Sequence, residues 1–280
     1  MLVELVRTTT PDGMRLDGAL HTATNASATA PYDLALCLHG VQGSFYSSTL
    51  LEALVAPLAE QGISVLRVNT RGHDNVTAIG RRWQGAAFEV VDECRFDLLG
   101  WLDWARERGY QRVLLLGHSL GAVKALYAAA HEAPPAIRGI VALSPPRLSY
   151  EHFCAGEERD KFLQTMTEAQ RLVNERQPDA MLLAKFPFPL LISAGSYVDK
   201  YGPGGRYDFL DFLDQVNCPV LLTFGSLELE AMSAFRGIRQ AIAAKVNPRQ
   251  FVQVITIAGA DHIYTDQHAA VAAAIVQWLV

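Results

Sequence analysis

The chain contains the stretch Gly117-His118-Ser119-Leu120-Gly121, which comes directly after the apolar run 113–116 and before an alanine-rich segment. The run has the length of a buried strand, and the segment after it has the composition of a helix. A G-x-S-x-G stretch in this setting predicts a strained turn that presents the serine hydroxyl at a sheet edge. Side chains in place of the two glycines would strike the neighbouring strand or helix. We therefore expect Ser119 to act as a nucleophile.

Strand-like and helix-like segments alternate on both sides of this stretch. Short apolar runs, typical of strands covered on both faces, occupy residues 33–38, 63–68, 138–143, 219–224 and 251–257. Helical patterns occupy residues 48–61, 87–108, 120–130, 230–244 and 267–279. This alternation predicts an α/β fold with a mostly parallel sheet flanked by helices. An antiparallel hairpin of residues 2–8 and 14–21 is expected to open it.

The alternation breaks after Ser144-Pro145-Pro146, where the sequence becomes more polar. We interpret residues 147–217, with a helix near 161–176, as a cap inserted between strands. The α/β core is then formed by residues 1–146 and 218–280. Four cap aromatics are candidates either to shape a substrate pocket or to pack the cap on the core: Tyr150, Phe153, Tyr197 and Tyr201.

A serine hydroxyl is a poor nucleophile without a base, and the chain has eight histidines to supply one. In sheets built around a G-x-S-x-G turn, the base follows the last strand. His262 lies on the loop directly after residues 251–257, whereas His268 falls inside the final helix. His118 is part of the turn and is expected to line the floor beside the nucleophile. The sequence therefore favours His262 as the general base.

An acid is needed to orient the imidazole and to stabilise its cation. Glu228 comes just after the strand at 219–224, a frequent position for this acid, and is our choice. Glu230 is the main competitor and is expected near the start of the next helix. Asp261 ranks third, because neighbouring residues on a tight loop usually point apart.

Two backbone N–H groups are expected to stabilise the oxyanion of the reaction. One belongs to Leu120, the residue after the nucleophile. The other should come from the glycine-containing loop after residues 33–38, with Val41 as the preferred donor and Gln42 as the second candidate.

Composition and charge exclude several other functions. The formal net charge of −5 and the lack of a basic cluster argue against nucleic-acid binding. No run approaches the roughly 18 apolar residues of a membrane span, and the start lacks the pattern of a secretory signal. Four scattered cysteines without a C-x-x-C pair favour the cytoplasm. The spacing of His39, His73 and Asp74 matches no zinc pattern, so no metal is expected.

With these residues in place, the chain resembles the α/β-hydrolase superfamily over nearly its whole length. Within it, the 117–121 stretch with Lys124 is similar to a group of fungal and bacterial serine hydrolases. Residues 85–89 and 196–203, and Gly225-Ser226-Leu227-Glu228, add to the likeness. That group includes the esterases that open hydroxamate siderophores of the fusarinine type. The resemblance implies ester hydrolysis through an acyl-enzyme, without a cofactor.

The resulting hypothesis is a serine hydrolase that cleaves a small-molecule carboxylic ester with Ser119, His262 and Glu228. The same triad could instead cleave an amide, a thioester or a carbon–carbon bond, or transfer an acyl group. Outside enzymes, this fold can serve as a ligand receptor. The sequence leaves the natural substrate and the oligomeric state open.

Overall fold

The computed structural model describes residues 3–25, 30–79, 82–246 and 251–279. The strands are β1 (Glu4–Thr9), β2 (Arg15–His21), β3 (Leu34–Leu38), β4 (Ser64–Val68), β5 (Thr77–Ile79), β6 (Arg82–Gln84), β7 (Val113–His118), β8 (Ile137–Leu143), β9 (Met181–Ala184), β10 (Leu190–Ser193), β11 (Val220–Gly225) and β12 (Val252–Ile257). The helices are α1 (Thr49–Ala53), α2 (Val55–Glu60), α3 (Cys94–Glu107), α4 (Leu120–Glu132), α5 (Tyr150–Ala155), α6 (Arg159–Asn174), α7 (Ala194–Tyr201), α8 (Ser226–Ala231), α9 (Ile238–Lys245) and α10 (His268–Leu279).

Eight of these strands form one sheet in the order β1-β2-β4-β3-β7-β8-β11-β12. The pairs β1/β2 and β2/β4 are antiparallel, and every other pair in the sheet is parallel. Alternate residues of the central strands face two hydrophobic cores. Leu36 of β3 lies in the core that contains α3 and α4, and Cys37 lies in the core that contains α1, α2 and α10. The predicted α/β fold with a mostly parallel sheet and flanking helices is confirmed.

Parallel strands end at the same edge of a sheet, and this edge gathers the residues that the sequence singled out. The loop of Val41 follows β3, and Ser119 follows β7. Ser144 follows β8, Glu228 follows β11 and His262 follows β12. Positions far apart in the sequence therefore meet in one place.

Three predicted helices differ from those observed. Residues 48–61 form two short helices, α1 and α2, that meet at Leu54. Residues 87–90 are not helical, because their segment is bonded elsewhere: the Ala87 N–H donates to Asn75 O at 3.0 Å, and Ala87 O accepts from Ser193 N at 2.8 Å. A 3₁₀ turn at Val91–Glu93 then leads into α3. Tertiary hydrogen bonds have thus replaced those of the first predicted helical turns.

The third difference concerns the helix predicted at 230–244. The observed α8 begins earlier, at Ser226, and ends at Ala231. A 3₁₀ turn follows at Ser233–Phe235, and α9 begins only after Gly237, whose φ is +65°. The shift places Glu228 inside the first turn of a helix rather than on a loop.

The segment between β8 and β11 contains α5, α6, the β9–β10 hairpin and α7. Helix α6 overlaps the helix predicted at 161–176. Phe153 of α5, Phe162 of α6 and Phe186 of the hairpin pack ring against ring, with centroids 4.7 to 5.4 Å apart. In the part of the chain that the structure describes, no helix is long and apolar enough to cross a bilayer.

Candidate active site

Ser119 lies at the junction of β7 and α4, with φ 54° and ψ −124°. A non-glycine residue in this region is strained, and the surrounding contacts hold it there. The Ser119 N–H donates to Leu143 O at 2.8 Å. A Cβ on Gly117 would overlap the backbone of Gly121, and a Cβ on Gly121 would overlap the backbone of β3. The two glycines therefore let β7, α4 and β3 approach closely enough to form the turn.

His262 connects Ser119 to Glu228. Its Nδ1 lies 2.6 Å from Glu228 Oε2, and its Nε2 lies 2.9 Å from Ser119 Oγ. A carboxylate only accepts, so the ring proton is on Nδ1 and the serine hydroxyl donates to Nε2. This is the tautomer in which a histidine can take a proton from a serine. The structure thus brings the three residues together as one hydrogen-bonded chain.

Glu228 is buried, with 2% of its surface exposed. Its second oxygen, Oε1, accepts from the Gly225 N–H at 2.7 Å and from the Ser144 hydroxyl at 2.6 Å. Glu230, the competing acid, is exposed. The Asp261 carboxylate accepts instead from its own loop, from the N–H groups of Ile263 and Thr265. The geometry therefore favours Glu228 over both alternatives.

Sequence reasoning missed the side chains that support this acid. The Tyr264 hydroxyl lies 2.8 Å from Ser144 Oγ and 2.7 Å from Thr223 Oγ1. All three residues are buried. Ser144 has a φ of 49°, which turns the chain sharply after β8. The stretch Ser144-Pro145-Pro146 contains no carboxylate, so it supplied no candidate for the acid, and its serine was not considered. A serine that follows a strand next to the nucleophile's strand was the available signal.

His118 lies beside His262, with ring centroids 5.1 Å apart. Burial lowers the pKa of His118 to about 3, so its ring is neutral near pH 7. Its Nε2 donates to the backbone carbonyl of His262 at 2.7 Å. His118 therefore holds the loop that carries His262.

The two expected oxyanion donors both lie next to Ser119, where Val41 and Leu120 line the same pocket. Leu120 is the first residue of α4, and the first N–H groups of a helix have no acceptor within it. A Cβ on Gly40 would lie 3.2 Å from Ser119 Cβ, so a side chain at this position would crowd the nucleophile. The alternative donor, Gln42, has a φ of 59°, and its side chain donates to Asn75 at 3.0 Å.

The pocket over Ser119 is narrow and mainly apolar. It is lined by Val41, Ser119, Leu120, Pro146, Leu148, Phe153, Pro187, Phe188, Lys200, Tyr201, Met232, Ala234, Phe235 and His262. Two of the four candidate cap aromatics, Phe153 and Tyr201, belong to this lining. The other two pack elsewhere: Tyr150 contacts Phe162, and the Tyr197 hydroxyl donates to Phe186 O at 3.2 Å.

Within the described ranges, no group of three or more His, Cys, Asp or Glu side chains is placed to hold a metal ion.

Comparisons with known proteins agree with this architecture. The model of the alpha/beta hydrolase fold family matches residues 35–199. Est1E from Butyrivibrio proteoclasticus, solved with ferulic acid bound, is 20% identical, with a TM-score of 0.70 over 98% of both chains. GrgF from Penicillium sp. sh18 is 15% identical, with a TM-score of 0.72 over 100% of this chain and 98% of its own. The Pyrococcus furiosus esterase PF2001 is 18% identical, with a TM-score of 0.63 over 99% of this chain and 90% of its own.

A comparison with curated proteins finds no match. The likeness to solved structures is one of fold, whereas the family model matches the sequence itself over more than half its length. This chain belongs to the alpha/beta hydrolase fold family.

Proposed function

We propose that the protein is a serine esterase that hydrolyses a small carboxylic ester with Ser119 as nucleophile, His262 as general base and Glu228 as the acid of the triad. One observation carries the proposal. The Ser119 hydroxyl lies 2.9 Å from His262 Nε2, while Nδ1 of the same ring lies 2.6 Å from Glu228. A buried carboxylate bonded to a histidine that also faces a strained serine is the arrangement that activates a hydroxyl for acyl transfer.

The reaction follows from this geometry. His262 Nε2 takes the Ser119 hydroxyl proton as Oγ forms a bond to the ester carbonyl carbon. The tetrahedral intermediate collapses, and the alcohol leaves with the proton that the imidazolium returns. Water then gives a proton to His262 and attacks the acyl-enzyme, and the second collapse releases the carboxylic acid and restores Ser119. Glu228 stabilises the imidazolium in both halves.

The N–H groups of Leu120 and Val41 are proposed to stabilise the oxyanion. Both lie at the pocket that contains Ser119, and Leu120 is at the positive end of α4. Each donor of this kind contributes roughly 3–4 kcal/mol to transition-state stabilisation.

We also propose that residues 147–217 form a cap over the nucleophile, on a core of residues 1–146 and 218–280. The support is that Leu148, Phe153, Phe188 and Tyr201 of this segment line the pocket. The esterase activity of the Pyrococcus furiosus relative supports an ester substrate. A likeness to siderophore esterases and a cytoplasmic location stay predictions. The four free cysteines are compatible with the latter.

A fluorophosphonate probe tests the nucleophile, because it reacts with activated serines only. We expect the wild-type protein to be labelled at one site, identified as Ser119 by peptide mass. Ser119→Ala should abolish labelling and hydrolysis of short 4-nitrophenyl esters together. The matched control is Thr167→Ala, which removes an exposed hydroxyl on α6 and should react like the wild type. Equal labelling of the wild type and Ser119→Ala would refute the assignment.

A further inference from the structure

A chain of hydrogen bonds runs from a buried ion pair to the loop that follows β3. Glu89 forms an ion pair with Lys124 of α4, and Lys124 Nζ donates to Thr70 Oγ1 at 3.0 Å. Thr70 Oγ1 lies 3.2 Å from His39 Nε2, and His39 Nδ1 lies 2.8 Å from Gly40 O. The four side chains are each at most 2% exposed, so water does not compete for these bonds.

The direction of donation along this chain follows from the chemistry of its members. An ammonium only donates, so the Thr70 hydroxyl accepts from Lys124 and its own proton is free to point at His39. Burial lowers the pKa of His39 to about 3, so the ring is neutral near pH 7 and carries one proton. Gly40 O only accepts, which places that proton on Nδ1 and makes Nε2 an acceptor. The Thr70 N–H also donates to Nε2, at 3.1 Å.

The chain ends on the peptide group that carries the proposed oxyanion donor. Gly40 O and the Val41 N–H belong to this one trans peptide, in which they point in opposite directions. A bond that holds Gly40 O toward His39 therefore also fixes the direction of the Val41 N–H. The Gly43 N–H donates to the same oxygen at 3.1 Å. Among the described residues, the Val41 N–H has no acceptor of its own, which leaves it free for a substrate.

We propose that Thr70 and Lys124 are positioning residues for the oxyanion site. Through His39 they orient and polarise the peptide that carries the Val41 N–H, although neither lines the pocket over Ser119. This inference rests on the proposed esterase function. A group that accepts a hydrogen bond becomes a stronger donor in the next bond, and here donation begins at a buried ammonium. The N–H at the other end is thereby a better donor to the negative charge that develops on the substrate.

Thr70→Val tests the middle of the chain, because valine has the shape of threonine without the hydroxyl. For a short 4-nitrophenyl ester, kcat and kcat/KM should fall equally, by about tenfold, since only the transition state loses an interaction. Loss of a whole oxyanion donor would cost roughly 10²- to 10³-fold. Inhibition by 1,1,1-trifluoro-2-butanone, which forms a tetrahedral oxyanion on the serine, should weaken by the same factor as kcat. Thr70→Ser restores the hydroxyl and should recover most of the loss.

Thr8→Val is the matched control. The Thr8 hydroxyl donates to Gly100 O at 2.9 Å on β1, the edge strand farthest from β12. This variant should keep the wild-type kcat and the wild-type affinity for the ketone. Thermal unfolding of both variants shows whether the fold is retained.

Lys124→Met interrupts the chain one step earlier. The variant is expected to fold, because the other oxygen of Glu89 lies 3.6 Å from Lys200 Nζ and keeps a counter-charge. It should lower kcat and weaken inhibition by the ketone together. The double variant of Lys124→Met and Thr70→Val should lose no more than Thr70→Val alone, since the two residues act through one path.

Labelling of Ser119 by the fluorophosphonate separates this inference from the proposed function. A wild type that is labelled at Ser119, with an unchanged kcat in Thr70→Val or in Lys124→Met, overturns the inference and leaves the esterase proposal intact. A lower kcat without weaker inhibition by the ketone also overturns it, as do additive losses in the double variant. A wild type that is not labelled at Ser119 refutes the proposed function itself.

Discussion

Ser144→Ala tests whether the triad acid depends on the hydroxyl that follows β8. The substitution removes the 2.6 Å hydrogen bond from Ser144 to Glu228 Oε1 and leaves the bond from the Gly225 N–H. Alanine differs from serine only by the hydroxyl, so the backbone turn is retained. Glu228 should then be held less firmly against His262, with which it forms the 2.6 Å bond that orients the ring.

The magnitude follows from the charge of the acceptor. A hydrogen bond to an ionised group contributes about 1.5–3 kcal/mol. If the whole loss appears in the transition state, where His262 is cationic, kcat falls about 10- to 150-fold. KM should change little, because Ser144 is not among the residues that line the pocket.

The assay is steady-state hydrolysis of a short 4-nitrophenyl ester, with the fluorophosphonate labelling rate as a second measurement. Thr223→Val is the matched control, since the Thr223 hydroxyl lies 2.7 Å from the Tyr264 hydroxyl. It removes a hydroxyl from the same buried network without removing a bond to Glu228, so kcat should fall by less than about threefold. A wild-type kcat in Ser144→Ala, or an equal decrease in both variants, would contradict the reasoning.

Three further predictions concern the acid, the turn and the pH dependence of stability. Glu228→Gln should lower kcat by about 10⁴, whereas the exposed Glu230→Gln should stay within about threefold in the same ester assay. Gly121→Ala forces a Cβ into the backbone of β3 and should lower Tm markedly; Gly204→Ala, whose Cβ would have no neighbour closer than 3.9 Å, should not. Burial lowers the pKa of His39 to about 3. Below pH 6.5 the unfolded chain therefore gains a proton at His39 that the folded protein does not gain. The stability of the fold falls as the pH falls. Between pH 6.5 and 4.5 the free energy of unfolding should fall by an amount on the order of 2–3 kcal/mol from this cause. Urea unfolding at the two pH values measures the decrease, which should be smaller in His39→Gln.

Much of the fold could be predicted from local patterns. Strands that are buried on both faces appear in the sequence as apolar runs. The turn around Ser119 needs glycines on both sides, so it too has a recognisable local pattern. The helix predictions at 87–108 and 230–244 were wrong in their bounds. At 87–90, hydrogen bonds to Asn75 and Ser193 replace those of a helix. Helix α9 begins only after the turn at Gly237. The first is a tertiary constraint and the second is a local turn, and helical periodicity detects neither.

By itself the sequence determined the α/β fold class, the order of strands and helices around Ser119, and the choice of His262 and Glu228 as its candidate partners. That was possible because the positions after successive parallel strands meet at one edge. Only the tertiary structure decided which side chains surround these residues. The hydroxyl of Ser144 lies 84 positions from Glu228 in the chain, and Lys200 approaches Glu89 across 111 positions, the difference between their numbers. Contacts of this kind depend on how helices and loops pack above the sheet, and packing at such separations has no local sequence pattern.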